Sequence, residues 1–335
     1  MTNGDYWAER QEQELNKISF KTEKEINAQL DKYYMTAFKQ VIADFEAVYN
    51  KLIATIGAGR TPTVADLYAL DKYWQLQGSL RELCEQLGNK EVTLLSKKFE
   101  EQWEAIYEAA ALPSDLEFAQ VSTSNAKQMV NSIWVADGKS FSDRIWGNTE
   151  ELIETLNQEL INVVATGRSS DDLRKKLQER FNVSRARANT LIRTEVAHIQ
   201  DASAEKRYKD SGLEEWMFLG REEHDIGCQC KKLDGTIWRF DDPNAPKLPQ
   251  HPNCRCRRKP IMNNELLRKR AEENRKREQE KRAKKREADE LREQAQQLRA
   301  QAKTLKAQGK TEEAKLLEAE ARTLEKKYKA IYAQL

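Results

Sequence analysis

Gly227 to Cys256 reads GCQCKKLDGTIWRFDDPNAPKLPQHPNCRC. Its ends are two ligand-rich knuckles, Cys228-Gln-Cys230 and His251-Pro-Asn-Cys254-Arg-Cys256. Between them stand the tight-turn signal Asp234-Gly235, the strand-like Thr236-Ile237-Trp238-Arg239-Phe240 and a loop with Pro243, Pro246 and Pro249. Just upstream, Glu215-Trp216-Met217-Phe218-Leu219 reads as another strand. A β unit this small buries too little apolar surface to hold its own shape. Thiolates and an imidazole converging from rigid turns onto zinc would anchor it. The candidate ligands are Cys228, Cys230, His251, Cys254 and Cys256, five groups for the four positions of a tetrahedral ion. The CxC spacing places alternate side chains on one side of an extended strand, where chelation is less common than from CxxC. Two other readings stay open: buried free thiols beside a hydrogen-bonded His251, and a disulfide formed after cell lysis.

The flanks of this unit are helical. Ile26, Leu30, Tyr34, Phe38, Val41, Phe45, Val48 and Leu52 recur at steps of three and four, so residues 1 to about 57 form one long helix. Ile56-Gly57-Ala58-Gly59 stops it and Thr61-Pro62-Thr63 restarts the chain. A second helix is expected to end at Gly88-Asn89, and a third to carry Leu94, Leu95, Phe99, Trp103, Ile106 and Tyr107 before Pro113. Residues 1–112 are therefore expected to form a helical bundle or hairpin, and residues 113–148, less periodic, a connecting region. After Gly147-Asn148-Thr149 come a helix with Leu152 to Val164, a capped helix through Phe181, and one that Ser184 opens and that runs through Arg193-Thr194-Glu195.

Beyond Asn263, Gly309 is the sole Gly or Pro. Leu291, Leu298 and Leu305 repeat every seven residues, as do Leu317, Leu324 and Ile331. This pattern predicts a coiled-coil-like helical hairpin over 263–335 that turns at Gly309, with Thr311 capping its second helix. Arg257 to Arg286 holds 14 Lys or Arg against 5 Glu, a local balance of +9 inside a chain whose net charge is +2. Arg275, Lys276, Arg277, Lys284, Lys285 and Arg286 are the candidate phosphate-contacting residues. The competing reading is a solvated helix held by Glu–Lys/Arg pairs one turn apart.

Composition narrows the class. Of 335 residues, 33% are charged and only 39% hydrophobic, which fits long solvated helices added to a modest core. No apolar run is long enough to span a membrane. The start, MTNGDYWAERQEQE, has no apolar signal core, so export is not expected and the cysteines are read in a reducing compartment.

Arg193-Thr194-Glu195, Cys230-Lys-Lys-Leu-Asp-Gly and His251-Pro-Asn-Cys-Arg-Cys together resemble the Mu F-like, or gp7-like, phage head morphogenesis family over about residues 145–262. The Tyr6-Trp7-x-x-Arg10 start also resembles the amino end of many members. The chain departs from the family in its first cysteine pair: Cys230 holds the place of the second cysteine of a CxxC, and Cys228 is shifted by one. The resemblance implies a minor-head domain over 149–262 in a structural protein of the virion. It implies residence inside the capsid, with assembly in the host cytoplasm and no membrane. The implied partners are the portal, the major capsid or scaffold protein, and packaged DNA contacted without sequence preference, and some members are thought to leave with the DNA at ejection. Self-association through the C-terminal helices is a further expectation.

The expected fold is thus mainly α: an N-terminal helical bundle or hairpin, a central α+β minor-head domain with a Cys/His-stapled β unit, and a C-terminal helical hairpin. No catalytic residue is assigned. A second function class is a metal-dependent nuclease or protease of head maturation, which would draw a general base from Glu195, His198, Glu222, Glu223, His224 or Asp225, or use Asp234 and His251.

Overall fold

A computed structural model describes residues 3–57, 59–111, 123–135, 137–220, 229–261 and 264–333. The chain divides into two compact units. The first holds α1 (Asn3–Ile56), α2 (Val64–Tyr68), α3 (Asp71–Ala109), α4 (Thr123–Val130), α5 (Phe141–Ala165), α6 (Ser170–Asp210), β1 (Glu215–Leu219), α7 (Gln229–Leu233), β2 (Ile237–Arg239) and β3 (Arg257–Pro260). The second holds α8 (Asn264–Ala307) and α9 (Thr311–Tyr332).

In the first unit, α1, α3, α5 and α6 share one core. The stripe read from the sequence of α1, Ile26 to Leu52, is buried in it together with Leu80, Leu95 and Phe99 of α3, Leu156 and Leu160 of α5, and Leu177 and Ile192 of α6. Helix starts are set by local chemistry. Thr63, Ser140 and Ser169 each accept a hydrogen bond from the backbone N–H of an Asp three residues on, and each Asp carboxylate accepts in return from the cap backbone. Gly57, with φ +80°, leaves α1 in the left-handed conformation that closes many helices.

Two expected breaks are absent. α3 runs straight through Gly88, because this glycine marks a close approach: a Cβ there would lie 2.9 Å from Thr149 Oγ1 and 3.1 Å from Trp146 Cζ3 of α5. Helix α6 likewise runs through Ser184. The hydroxyl of Ser184 faces inward, 3.2 Å from Tyr34 Oη, and accepts from Asn148 Nδ2 at 2.9 Å. A buried polar group is tolerated when it is hydrogen-bonded, so this serine ties α6 to α1 and α5 instead of opening a helix. Helix α5 also starts at Phe141, eight residues before the expected site, with Gly147 in its interior. Gln102 of α3 binds three helices together, donating to Ser19 Oγ at 2.9 Å and to the Val196 carbonyl at 3.0 Å.

Among the described residues three strands form one antiparallel sheet in the order β2-β1-β3. Trp216 pairs with Trp238 on one side and with Pro260 on the other. The two expected strands are present. The third, β3, was hidden in the basic run. Arg258 is mostly buried here, its guanidinium 4.6 Å from the Trp216 ring and paired with Asp201 and, at 2.9 Å, Glu205 of α6. Arg257 is buried as well.

In the second unit α8 and α9 form the expected hairpin around Gly309, at φ +80°. Its seam differs from the leucine seam read in the sequence. Ala288, Ala295, Ala302, Ala314 and Ala321 are buried, whereas Leu291, Leu298, Leu305, Leu317, Leu324 and Ile331 are half-buried beside them. Small side chains let two helices approach closely, and larger ones are then displaced to the flanks. The cap of α9 is Lys310, with no side-chain hydrogen bond, and not Thr311. Arg299–Glu325 at 2.7 Å and Lys306–Glu318 at 2.5 Å clasp the rims. No helix among the described residues is long and apolar enough to cross a membrane.

Candidate metal centre

The β unit has its own core, and its thiols are part of it. Trp216, Phe218, Leu248, Cys230, Cys254 and Cys256 are buried together, with Leu233, Trp238 and Phe240 against them. Cys230 enters from the first turn of α7, not from an extended strand as the CxC spacing suggested. Cys254 follows a tight turn in which its N–H donates to the His251 carbonyl at 3.1 Å. Asn253 makes that turn at φ +60°, a left-handed conformation that Asn tolerates better than most residues.

These turns bring the side chains together. The ligand atoms of Cys230, His251 and Cys254 all lie within 4.8 Å of one another, and the sulfurs of Cys230 and Cys254 are 3.9 Å apart. Cys256 hydrogen-bonds both Cys254 and Cys230. His251 Nδ1 lies 2.9 Å from the Pro252 carbonyl. A carbonyl can only accept, so this contact suits the tautomer with its proton on Nδ1, the form that presents a lone pair on Nε2. The hydrogen bond from the Cys256 thiol holds the Cys254 thiol pKa well below its usual range, and the same bond pushes that of Cys256 up. Cys230, His251 and Cys254 can thus hold a metal ion, and the Cys256 thiol lies beside them, hydrogen-bonded to both cysteines. Cys228 lies outside the described residues. Cys84 is buried in the helical core, where burial pushes its thiol up to about 12.

The Arg-Thr-Glu triplet of α6 receives this knuckle. Thr194 Oγ1 accepts from the Asn253 N–H at 3.1 Å. Arg193 donates to Glu23 of α1 at 2.9 Å, and Arg255 reaches the same carboxylate at 3.1 Å with its guanidinium 4.9 Å from the Phe20 ring. Glu195 points elsewhere, into a cavity of about 490 Å3 that His251, Trp134 and Glu91 also line. Trp134 Nε1 donates to Glu195 Oε2 at 3.1 Å. Burial raises the carboxyl of Glu195 to about 7, and that of Glu91 to about 7 as well.

The other candidates separate. His198 stacks on Trp134 at 4.1 Å, hydrogen-bonds the Leu248 backbone and is pushed down to about 4 by burial, so it packs. Asp234 accepts from the Gly220 N–H at 2.7 Å and so joins the end of β1 to the residues just before β2. Glu222, Glu223, His224 and Asp225 lie outside the described residues. In the tail, Lys276, Lys284, Lys285 and Arg286 are exposed, and the side chains of Arg275 and Arg277 lie outside the described set. Trp7 is half-buried, with the Arg10 guanidinium 5.7 Å from its ring centroid. Sequence reasoning missed Glu91 and Trp134. Glu91 sits among charged residues of α3, and Trp134 lies in the aperiodic stretch, where no spacing marks it.

Residues 154–259 match the sequence model of the phage Mu protein F like family. An uncharacterized protein of Bacillus subtilis (strain 168), YqbB, is 26% identical over 159 residues, covering 42% of this chain and 51% of that protein. The match therefore spans about half of that relative's length. No solved structure matches the chain. Arg193-Thr194-Glu195, Leu233-Asp234-Gly235 and His251 to Cys256 all fall inside the matched stretch, so from the middle of α5 through β3 the chain is similar to phage Mu protein F.

Proposed function

We propose that the chain is a structural minor head protein of a tailed phage, associated with the portal or the inner capsid, and that zinc staples its β unit onto the helical bundle. The observation that carries this reading is the convergence of Cys230, His251 and Cys254, with Cys256 hydrogen-bonded beside them, inside the stretch that matches the phage family. A donor set of three thiols and one imidazole suits a closed, structural zinc site. The ion would tie α7 to the 251–256 turn, which Thr194 and Glu23 in turn fasten to α6 and α1. A hydrolase would need an open coordination position, which Cys256, hydrogen-bonded beside Cys230 and Cys254, would occupy. The nuclease or protease reading is therefore the weaker one, and no activity is assigned. Non-specific contact with packaged DNA through the exposed lysines and arginines of α8, self-association through α8 and α9, and departure with the DNA belong to the same proposal.

A complementation assay tests it. A phage whose copy of this gene is disrupted should give few infectious particles, and the wild-type gene supplied in trans should restore them. Cys254→Ser should restore far fewer. Normal yield from the disrupted phage would refute a role in the head.

A further inference from the structure

The cavity under the 249–252 loop has a chemistry that the metal centre does not explain. Its walls are apolar, with Val135, Ile145, Leu191 and the ring of Trp134. Its charged lining sorts into pairs. Arg144 is clamped by both oxygens of Asp137 at 2.8 and 2.7 Å, Arg187 pairs with Glu151, and Asp143 caps α5. Lys139 is exposed, and His251 belongs to the metal cluster. Glu91 and Glu195 remain, 3% and 4% exposed. Glu91 hydrogen-bonds Tyr34, with the Arg185 charge nearby. Glu195 takes one hydrogen bond, from Trp134 to Oε2, and its Oε1 has no hydrogen-bond partner among the described residues. A carboxylate lining a largely apolar pocket favours a cation that can donate to it. At about 490 Å3 the space is large enough for a small ligand or one long side chain.

We propose that this cavity binds an alkylammonium group, its charge on Glu195 and Glu91 and its methylene stem along Trp134, Ile145 and Leu191. The group comes from a free linear amine or from a Lys side chain of another protein, since both present the same ammonium on an apolar stem. The ammonium supplies the donors that Glu195 Oε1 lacks, and the stem displaces water from the apolar walls. The inference is independent of the metal centre and of the role in the head.

Calorimetric titration of the full chain at pH 8 tests it, with hexan-1-amine as probe and hexan-1-ol as its uncharged counterpart. The amine should bind at least tenfold more tightly than the alcohol. Glu195→Gln and Glu91→Gln, which keep side-chain volume, should each weaken the amine by tenfold or more and leave the alcohol unchanged. Circular dichroism and metal content of both variants confirm that fold and centre are intact, so a failure here is distinct from a failure of the zinc reading. A capped Ala-Lys-Ala peptide in parallel identifies the source by the ratio of its affinity to that of the free amine. Equal binding of amine and alcohol, or amine binding that survives both substitutions, would overturn the proposal.

Discussion

At Cys254 the geometry makes its sharpest demand. The thiol is buried, 3.9 Å from the Cys230 sulfur and hydrogen-bonded by Cys256. Protein purified without chelator should carry about one zinc per chain. Cys254→Ser should lose most of that metal and lower the unfolding midpoint, as should a strong chelator acting on the wild type. Retention of full metal by the serine variant, measured by elemental analysis, would remove Cys254 from the ligand set. Glu195 makes a second demand, through pH. Its carboxyl titrates near 7 in the fold against an ordinary value of 4.5. Between those values the folded chain holds a proton that the unfolded chain has released, so stability falls as pH rises through this window. The full effect above pH 7 is roughly 3 kcal/mol. Glu195→Gln should flatten that fall in urea unfolding at pH 5 and pH 8, and an unchanged slope would deny the buried carboxyl. The cluster of Cys230, His251 and Cys254 was legible in the sequence because thiols and an imidazole at two short knuckles point to metal chemistry. Glu91 and Trp134 were not, since a Glu on a charged helix and a Trp in an aperiodic stretch acquire meaning only when α3, α5 and α6 enclose them.

The elements divide by whether their signal was local. The apolar stripe of α1 and the cap at Ser169 are sequence-near features, and the helices they announce are present. Gly88 and Ser184 read as breaks because propensity treats Gly and Ser as helix-unfriendly. Contacts with residues 61 and 150 positions away reverse that reading. β3 was hidden by its charge, which Trp216, Asp201 and Glu205 accommodate from other elements. The two glycines of α3 give a paired test. Gly78 has nothing within 4 Å of a Cβ, so Gly78→Ala should stabilise by up to about 1 kcal/mol through helix propensity. Gly88→Ala should destabilise by about 1–3 kcal/mol, because Thr149 and Trp146 leave no room for the methyl. Chemical denaturation of both variants checks the signs, and stabilisation by Gly88→Ala would show that α3 and α5 are not so close.

On the scale of the whole molecule, the chain holds two compact units, a helical bundle that carries the β unit and a basic helical hairpin. The hairpin was legible as helices but not in its seam, since alanine heptads are quiet beside leucine heptads. If Lys276, Lys284, Lys285 and Arg286 contact phosphate, DNA binding by the full chain should be weak and indifferent to sequence, and should fall steeply as salt rises. Replacing these four with Gln should flatten the salt dependence and leave helicity intact. Wild-type protein that shifts no DNA at low salt would assign them to solvation alone. Quantitative mass spectrometry of purified particles tests the proposed residence in the phage head. Particles should contain this chain at a few copies for each head, retained after nuclease treatment and salt washing. Particles that are infectious and contain none of it would contradict the claim.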